Sequence, residues 1–281
     1  MLIQTRHILT TLVVAGISMA ALTAKAATTF APGDLLLGFR ATGGTGATTN
    51  LIVNLGSTIT LRDNNTTSAT LINIGSALTS AYGAGWDTRT DLFFGAIGTR
   101  TNQVTDGDPG LTGDPAVTLY ASLANTGTIG TKTSSSFNPA TNGVLTGTAN
   151  NVAGLQSTFQ NFTGTTTNGN LGAVIDTTTT LTNNWSTNTA LSTDFASGKD
   201  IESAVGTSSV LDLYRILQTA TGASPTGTAR VGQWQGTISL SSAGVVSFDP
   251  VAAAVPEPSR VLFLGCGLGS LLLRRRRAVR A

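Results

Sequence analysis

The 281-residue chain has few of the side chains on which most enzymes rely. It has one cysteine, Cys266, so no intramolecular disulfide can form, and one histidine, His7. Glutamate occurs only at Glu202 and Glu257. Charged residues make up 11% of the chain, about half the usual share, which excludes long coiled coils and charged disordered tails. Proline numbers 8 and glycine 33, without a triplet repeat, which excludes collagen.

The charge that is present is unevenly placed. Residues 27–259 hold 8 basic and 14 acidic side chains, a net of −6, whereas the two ends hold 8 basic and no acidic ones. The whole-chain net of +2 therefore describes the ends rather than the middle. An acidic domain repels phosphate backbones, so nucleic acid is not an expected partner.

The N-terminus reads as an export signal. Arg6 and His7 form a short, weakly basic start, and residues 8–22 are an apolar run broken only by Thr10, Thr11, Gly16 and Ser18. Ala24 and Ala26 flank Lys25 in the small-x-small pattern that signal peptidase accepts, which places cleavage after Ala26. The run of about 15 residues falls short of the roughly 20 that a spanning helix needs. Export without a disulfide leaves the fold to stand on its core.

The C-terminus carries the most information. Pro256, Glu257 and Pro258 come first. An apolar stretch over residues 261–273 follows, built on Val261, Leu262, Phe263 and Leu264, then on Leu268, Leu271, Leu272 and Leu273. Arg274, Arg275, Arg276 and Arg277 close it, with Arg280 behind. Arginines resist translocation, so this end is expected to stay cytoplasmic while the signal peptide puts the middle outside. Thirteen residues make a helix of about 20 Å against a hydrocarbon core of about 30 Å. Extending the stretch backwards would place Glu257 and Arg260 in lipid, and the prolines oppose helix there. The tail is a poor permanent anchor and a good transient stop for an enzyme to read.

This constellation resembles the PEP-CTERM sorting signal of exported bacterial proteins. The resemblance covers roughly the last 27 residues and rests on the combination of Pro256-Glu257-Pro258, a short apolar helix and an arginine cluster. It implies recognition by an exosortase, a polytopic transpeptidase-like membrane enzyme. It further implies removal of the tail near residues 256–259 and delivery to the cell surface or to a matrix containing extracellular polysaccharide. In that scheme Pro256, Glu257 and Pro258 are the recognition motif, residues 261–273 the membrane handle and Arg274–Arg277 the stop. Cys266 departs from the usual Gly, Ala or Leu of such tails and reads as a small apolar residue packed in lipid. Gly265, Gly267 and Gly269 form a GxGxG string with no strand and helix around it, so it is not a nucleotide loop.

The expected organisation is a signal peptide over 1–26, a β-rich extracellular domain over 27–250, a linker over 251–255 and the sorting signal over 256–281. Threonine, 49 residues, suits the solvent face of sheets. Alternation puts Leu35, Leu37 and Phe39 on one face, and Leu51, Val53 and Leu55 likewise. Val117, Leu119 and Ala121 alternate with Thr118 and Tyr120. Trp234, Ile238 and Leu240, a turn at residues 241–244, then Val246 and Phe248 predict a hairpin. Val152, Leu155, Phe159 and Phe162 predict a helix behind caps at Thr148 or Asn150. Ile74, Leu78 and Tyr82 predict a shorter one, and residues 210–217 read as a strand. Residues 41–49, 102–114 and 163–170 read as loops. The fold class expected is mainly β, a β-sandwich-like domain with one or two short helices.

The expected mature domain has neither His nor Cys, which removes the Ser-His-Asp triad, thiol nucleophiles and His or thiolate zinc sites. An acid/base enzyme would have to use aspartates such as Asp87 with Asp91, or Asp194 with Asp200. Asp106, Asp108 and Asp114 in a Gly-containing turn make calcium the one cofactor candidate, without an EF-hand pattern. Trp86, Trp185 and Trp234 offer aromatic faces for sugars if exposed, and the threonine run 177–180 could accept O-linked sugars. The leading expectation is a non-catalytic surface or matrix protein of structural, adhesive or glycan-contacting role, with signal peptidase and exosortase as processing partners. The alternatives are a secreted polysaccharide hydrolase using aspartate pairs and a permanently anchored periplasmic protein.

Overall fold

A computed structural model describes residues 30–31, 33–63, 67–100, 114, 118–135, 137, 142–160, 165–166, 173–176, 185–188, 201–217 and 232–251. Strand dominates, as expected. The strands are β1 (Asp34–Ala41), β2 (Asn50–Ser57), β3 (Ala69–Asn73), β4 (Leu92–Arg100), β5 (Thr118–Ala124), β6 (Thr165–Thr166), β7 (Ala173–Asp176), β8 (Glu202–Ala204), β9 (Val210–Ile216), β10 (Gln233–Leu240) and β11 (Val245–Pro250). The helices are α1 (Thr58–Asp63), α2 (Gly75–Tyr82), α3 (Asn142–Gln160) and α4 (Trp185–Asn188), with a 3-10 turn at Trp86–Thr88.

These strands form one antiparallel sheet rather than the two packed sheets of a sandwich. Its order is β3-β11-β10-β9-β5-β4-β1-β2-β7-β6, with β8 paired to β4 beside β5. The sheet is nearly closed. Alternation assigns a residue to a face but carries no information on whether a sheet curls or splits, and here it curls. Two helices bridge the opening. α1 touches both β2 and β11, and α2 leaves β3 to touch β2 and β7.

The predicted inner faces of β1, β2 and the β11 end of the hairpin hold, whereas in β5 Tyr120 faces the inner core and Leu119 and Ala121 face the other side. Leu35, Leu37, Phe39, Leu51, Val53 and Leu55 join Phe94, Leu213, Ile238, Val246 and Phe248 in one buried cluster, which Leu61 of α1 and Leu78 of α2 complete. The other face is also covered, contrary to the solvent face expected of the alternation. Leu36, Ile52, Ile97, Leu119, Ala121, Tyr214 and Ile216 pack with Leu145, Val152 and Leu155 of α3 and with Trp185. Central strands buried on both sides read as near-continuous apolar runs, as in the Leu35-Leu36-Leu37 of β1.

The predicted hairpin is β10 and β11, joined at Ser241–Gly244 with Ile238 opposite Phe248. One assignment within it changes. A register shift between Trp234 and Gly236 moves Trp234 to the α3 face, half-buried, while Ile238 and Leu240 stay on the inner one. Gly236 has φ +146, and a Cβ there would meet the Asp249 carbonyl at 2.3 Å, so the bulge requires glycine. The longer predicted helix is α3, which starts before the proposed caps at Thr148 and Asn150. The shorter one is α2, and residues 210–217 contain strand β9. Residues 42–49 form the expected loop, whereas Thr165–Thr166 within the expected loop 163–170 is a short strand.

Antiparallel register gives the molecule two distinct ends. β1, β3, β5 and β10 begin where β2, β4, β9 and β11 finish. This exit end carries α1 and the last described residue, Val251, whose N–H donates to the Gln235 carbonyl at 3.2 Å. The described chain also begins here. The Ala31 N–H donates to Asp34 Oδ2 at 2.8 Å, and the Thr58 hydroxyl donates to the Gly33 carbonyl at 2.8 Å. The opposite, turn end carries the 241–244 turn, the loop 42–49 and α2.

Candidate functional site

Charge is scarce in this chain, and where it is buried it gathers into hubs. The largest hub sits inside the exit end. Asp114 is fully buried, and three arginines from separate elements converge on it. Arg215 Nε, from the end of β9, donates to Oδ1 at 2.8 Å. Arg62 Nη1, from α1, lies 3.0 Å from Oδ1, and Arg100 Nε, from the end of β4, lies 3.6 Å from Oδ2. The Tyr120 hydroxyl donates to Oδ2 at 3.0 Å. Arg215 Nη1 also donates to Gln233 Oε1 at 3.1 Å, which reaches the start of β10. Burial, and after it the neighbouring Asp114 carboxylate, raises the Tyr120 phenol well above its ordinary pKa, so it stays a donor.

This hub ties together four strands and α1 at the end where the chain leaves the domain. Its carboxylate accepts from Arg215 and Tyr120 and is ion-paired with Arg62 and Arg100, which suits cross-linking rather than proton transfer to a substrate. Of the three calcium candidates, Asp106 and Asp108 lie outside the described residues. A divalent cation approaching Asp114 meets three guanidinium groups, a field opposed to its binding. Among the described residues no group of three or more His, Cys, Asp or Glu side chains comes together.

A second hub lies on the outer face of β1. Glu202 is buried and receives Arg40 Nε at 2.9 Å and Nη2 at 2.5 Å on Oε2, and Trp185 Nε1 at 2.8 Å on Oε1. The Arg40 guanidinium also stacks 5.2 Å over the Phe93 ring. The Trp185 indole lies flat on Gly38, where a Cβ would come within 1.9 Å of the ring. Glycine at that place in an otherwise apolar strand is what lets the tryptophan in.

The third hub is Asp212. Its Oδ1 accepts from Asn125 Nδ2 at 2.9 Å and Trp234 Nε1 at 3.0 Å, and its Oδ2 from the N–H groups of Thr133 at 3.0 Å and Ser134 at 2.8 Å. It orders the loop after β5. The fourth arrangement is centred on a cation at the turn end. Arg89 makes a two-point pair with Asp91 at 2.9 and 2.8 Å and donates to the carbonyls of Gly43, Thr45 and Tyr82. Hydrogen bonding to Arg89 holds the Asp91 carboxyl below its ordinary pKa and raises that of Arg89 in turn. Tyr82 crosses the same end. It donates to the Phe39 carbonyl at 2.8 Å and accepts from the Leu51 N–H at 3.1 Å, with its phenol raised by burial.

These hubs bear on the expected chemistry. Asp91 is engaged by Arg89, while Asp87 sits half-buried on the 3-10 turn. Asp194 and Asp200 lie outside the described residues. Trp86 and Trp185 are buried and present no face to a sugar, and Trp234 is half-buried. The signal-cleavage residues Ala24 and Ala26, the sorting motif Pro256, Glu257 and Pro258, the apolar stretch from Val261 to Leu273, the arginines Arg274–Arg277 and the threonines 177–180 also lie outside the described residues. No helix among the described residues is long and apolar enough to cross a membrane.

The arginines around Asp114 were not singled out by motif. The signal that could have found them is a charge set into an apolar strand, as Asp212 and Arg215 are in the VLDLYRI of β9. No family model, curated protein or solved structure matches this chain.

Proposed function

We propose that this chain is an exported cell-surface or extracellular-matrix protein, delivered through a PEP-CTERM-type tail, whose β domain has a structural, adhesive or glycan-contacting role. One observation carries the reading: the succession of Pro256-Glu257-Pro258, thirteen mostly apolar residues and Arg274–Arg277 at the end of a chain that opens with an export signal. The thirteen residues are short for a permanent anchor but hold the tail in the membrane until an exosortase cleaves it.

The domain's own chemistry supports a non-catalytic role. Among the described residues, the buried carboxylates Asp34, Asp114, Glu202 and Asp212 are each bonded to donors of the fold itself. Carboxylates committed in this way hold strands and loops in place rather than serving as a free acid and base.

Cell fractionation tests the reading. In a host with its exosortase the protein is expected in the surface or medium fraction, and in an exosortase-deleted strain it is expected to stay with the membrane. Equal distribution in the two strains would refute exosortase-directed sorting. Incubation of the purified domain with extracellular polysaccharides is expected to release no reducing ends. Release that Asp87→Asn or Asp91→Asn abolishes would instead establish the hydrolase.

A further inference from the structure

We infer that, while the tail is still attached, the exit end of the barrel faces the bilayer and the 241–244 turn points away from it. This rests on the proposed reading of the tail as a membrane handle. The Val251 N–H is bonded to the Gln235 carbonyl beyond the end of β11, which fixes where the chain stands at this end of the sheet. From Val251 to Pro256 is five residues, at most about 18 Å of extended chain, and to Val261 is ten, at most about 35 Å. Coiled rather than extended, ten residues span on the order of 20 Å. β11 itself, six residues long, adds about 20 Å before the turn at its other end is reached.

The other terminus leaves by the same end. The described chain starts at Phe30, four residues after Ala26, and is clamped through Ala31 with Asp34 and through Gly33 with Thr58. A domain tethered at both termini before processing is therefore satisfied by a single orientation, with neither chain forced around the barrel. The Asp114 hub lies at this same end and joins α1, β4, β5 and β9. It reinforces the end of the domain that a short tether loads.

Energy transfer to labelled lipid tests the orientation. The tail-bearing chain, exported and freed of its signal, carries Cys266→Ser and one new thiol, either Thr60→Cys on α1 or Ser242→Cys in the turn. Both positions are exposed. Each is labelled with a donor dye and reconstituted in phosphatidylethanolamine–phosphatidylglycerol vesicles bearing headgroup acceptors. The expected result is co-flotation with the vesicles and a distance of closest approach about 20 Å shorter from Thr60→Cys than from Ser242→Cys. Inserting about 20 Gly/Ser residues within 252–255 should then raise the Thr60→Cys distance and shrink the difference. Co-flotation with equal distances, or with the turn nearer, overturns the orientation and leaves the membrane handle standing. Failure to float shows that the tail does not hold the membrane, and both readings fall.

Discussion

The two ends of the barrel solve the same problem with opposite arithmetic. At the exit end one buried carboxylate, Asp114, serves three arginines. At the turn end one arginine, Arg89, serves one partly exposed carboxylate, two loop carbonyls and the last carbonyl of α2. The first arrangement welds strand ends and α1 from within, where removing one partner strands charges in a medium that cannot solvate them. The second fastens a glycine-rich loop from the surface, where water takes over whatever is lost. The difference teaches that the end from which the chain leaves is the mechanically committed one, and the far end is a fitted cover.

The largest effect is expected from breaking the exit hub. Asp114→Ala should destabilise the domain by about 3–5 kcal/mol, read as a lower denaturant midpoint with an unchanged slope. A loss of under about 1 kcal/mol would show that the hub is not the weld described here.

Two of the three buried phenols sharpen the comparison, since Tyr120 belongs to the exit end and Tyr82 to the turn end. Both are raised above the 10.0 of an ordinary tyrosine, mainly by burial. In the unfolded chain they ionise near that value, whereas the folded chain keeps its protons. Their contribution is therefore complete below about pH 10 and lost as pH rises above it, at about 1.4 kcal/mol per unit for each group. Absorbance at 295 nm should show phenolate appearing with unfolding rather than before it. A titration of more than one of the three phenols near pH 10 in the folded protein would contradict the burial of Tyr82 or Tyr120.

Next in size is the Gly38 contact with Trp185. Gly38→Ala should cost about 1–3 kcal/mol, because the new methyl displaces the indole. The cost should shrink in the double variant with Trp185→Ala. Additive losses would mean that the two positions do not share a surface. The smallest effect is expected from Asp91→Asn, which should leave the melting temperature of the domain nearly unchanged. A drop comparable to that of Asp114→Ala would erase the distinction between the ends.

How much of this was legible follows from which interactions are local. The β10–β11 hairpin could be read because its alternation and its turn lie within one short stretch, and β1 and β2 showed their inner faces for the same reason. The bulge at Gln235–Gly236 could not, since it depends on the close approach of Asp249 and Pro250. α1 was invisible because Thr58, Ile59 and Thr60 favour strand. It is helical because Leu61 enters the inner core and Arg62 reaches Asp114. Closure of the sheet was invisible because alternation is the same in a sandwich and a barrel. The hub itself was hidden by distance, with Arg215 101 residues from Asp114 along the chain. The motif, apolar stretch and arginines of the tail are contiguous, so its proposed reading as a sorting signal rests on the sequence alone.

The account stands or falls on whether that tail is a transient device. Intact-mass spectrometry of the chain recovered from the cell surface or medium measures this directly. The mass predicted is that of a chain beginning at Ala27 and ending within residues 256–259, any attached group being added to that core. A surface product whose C-terminal peptide still contains Arg274–Arg277 would contradict it.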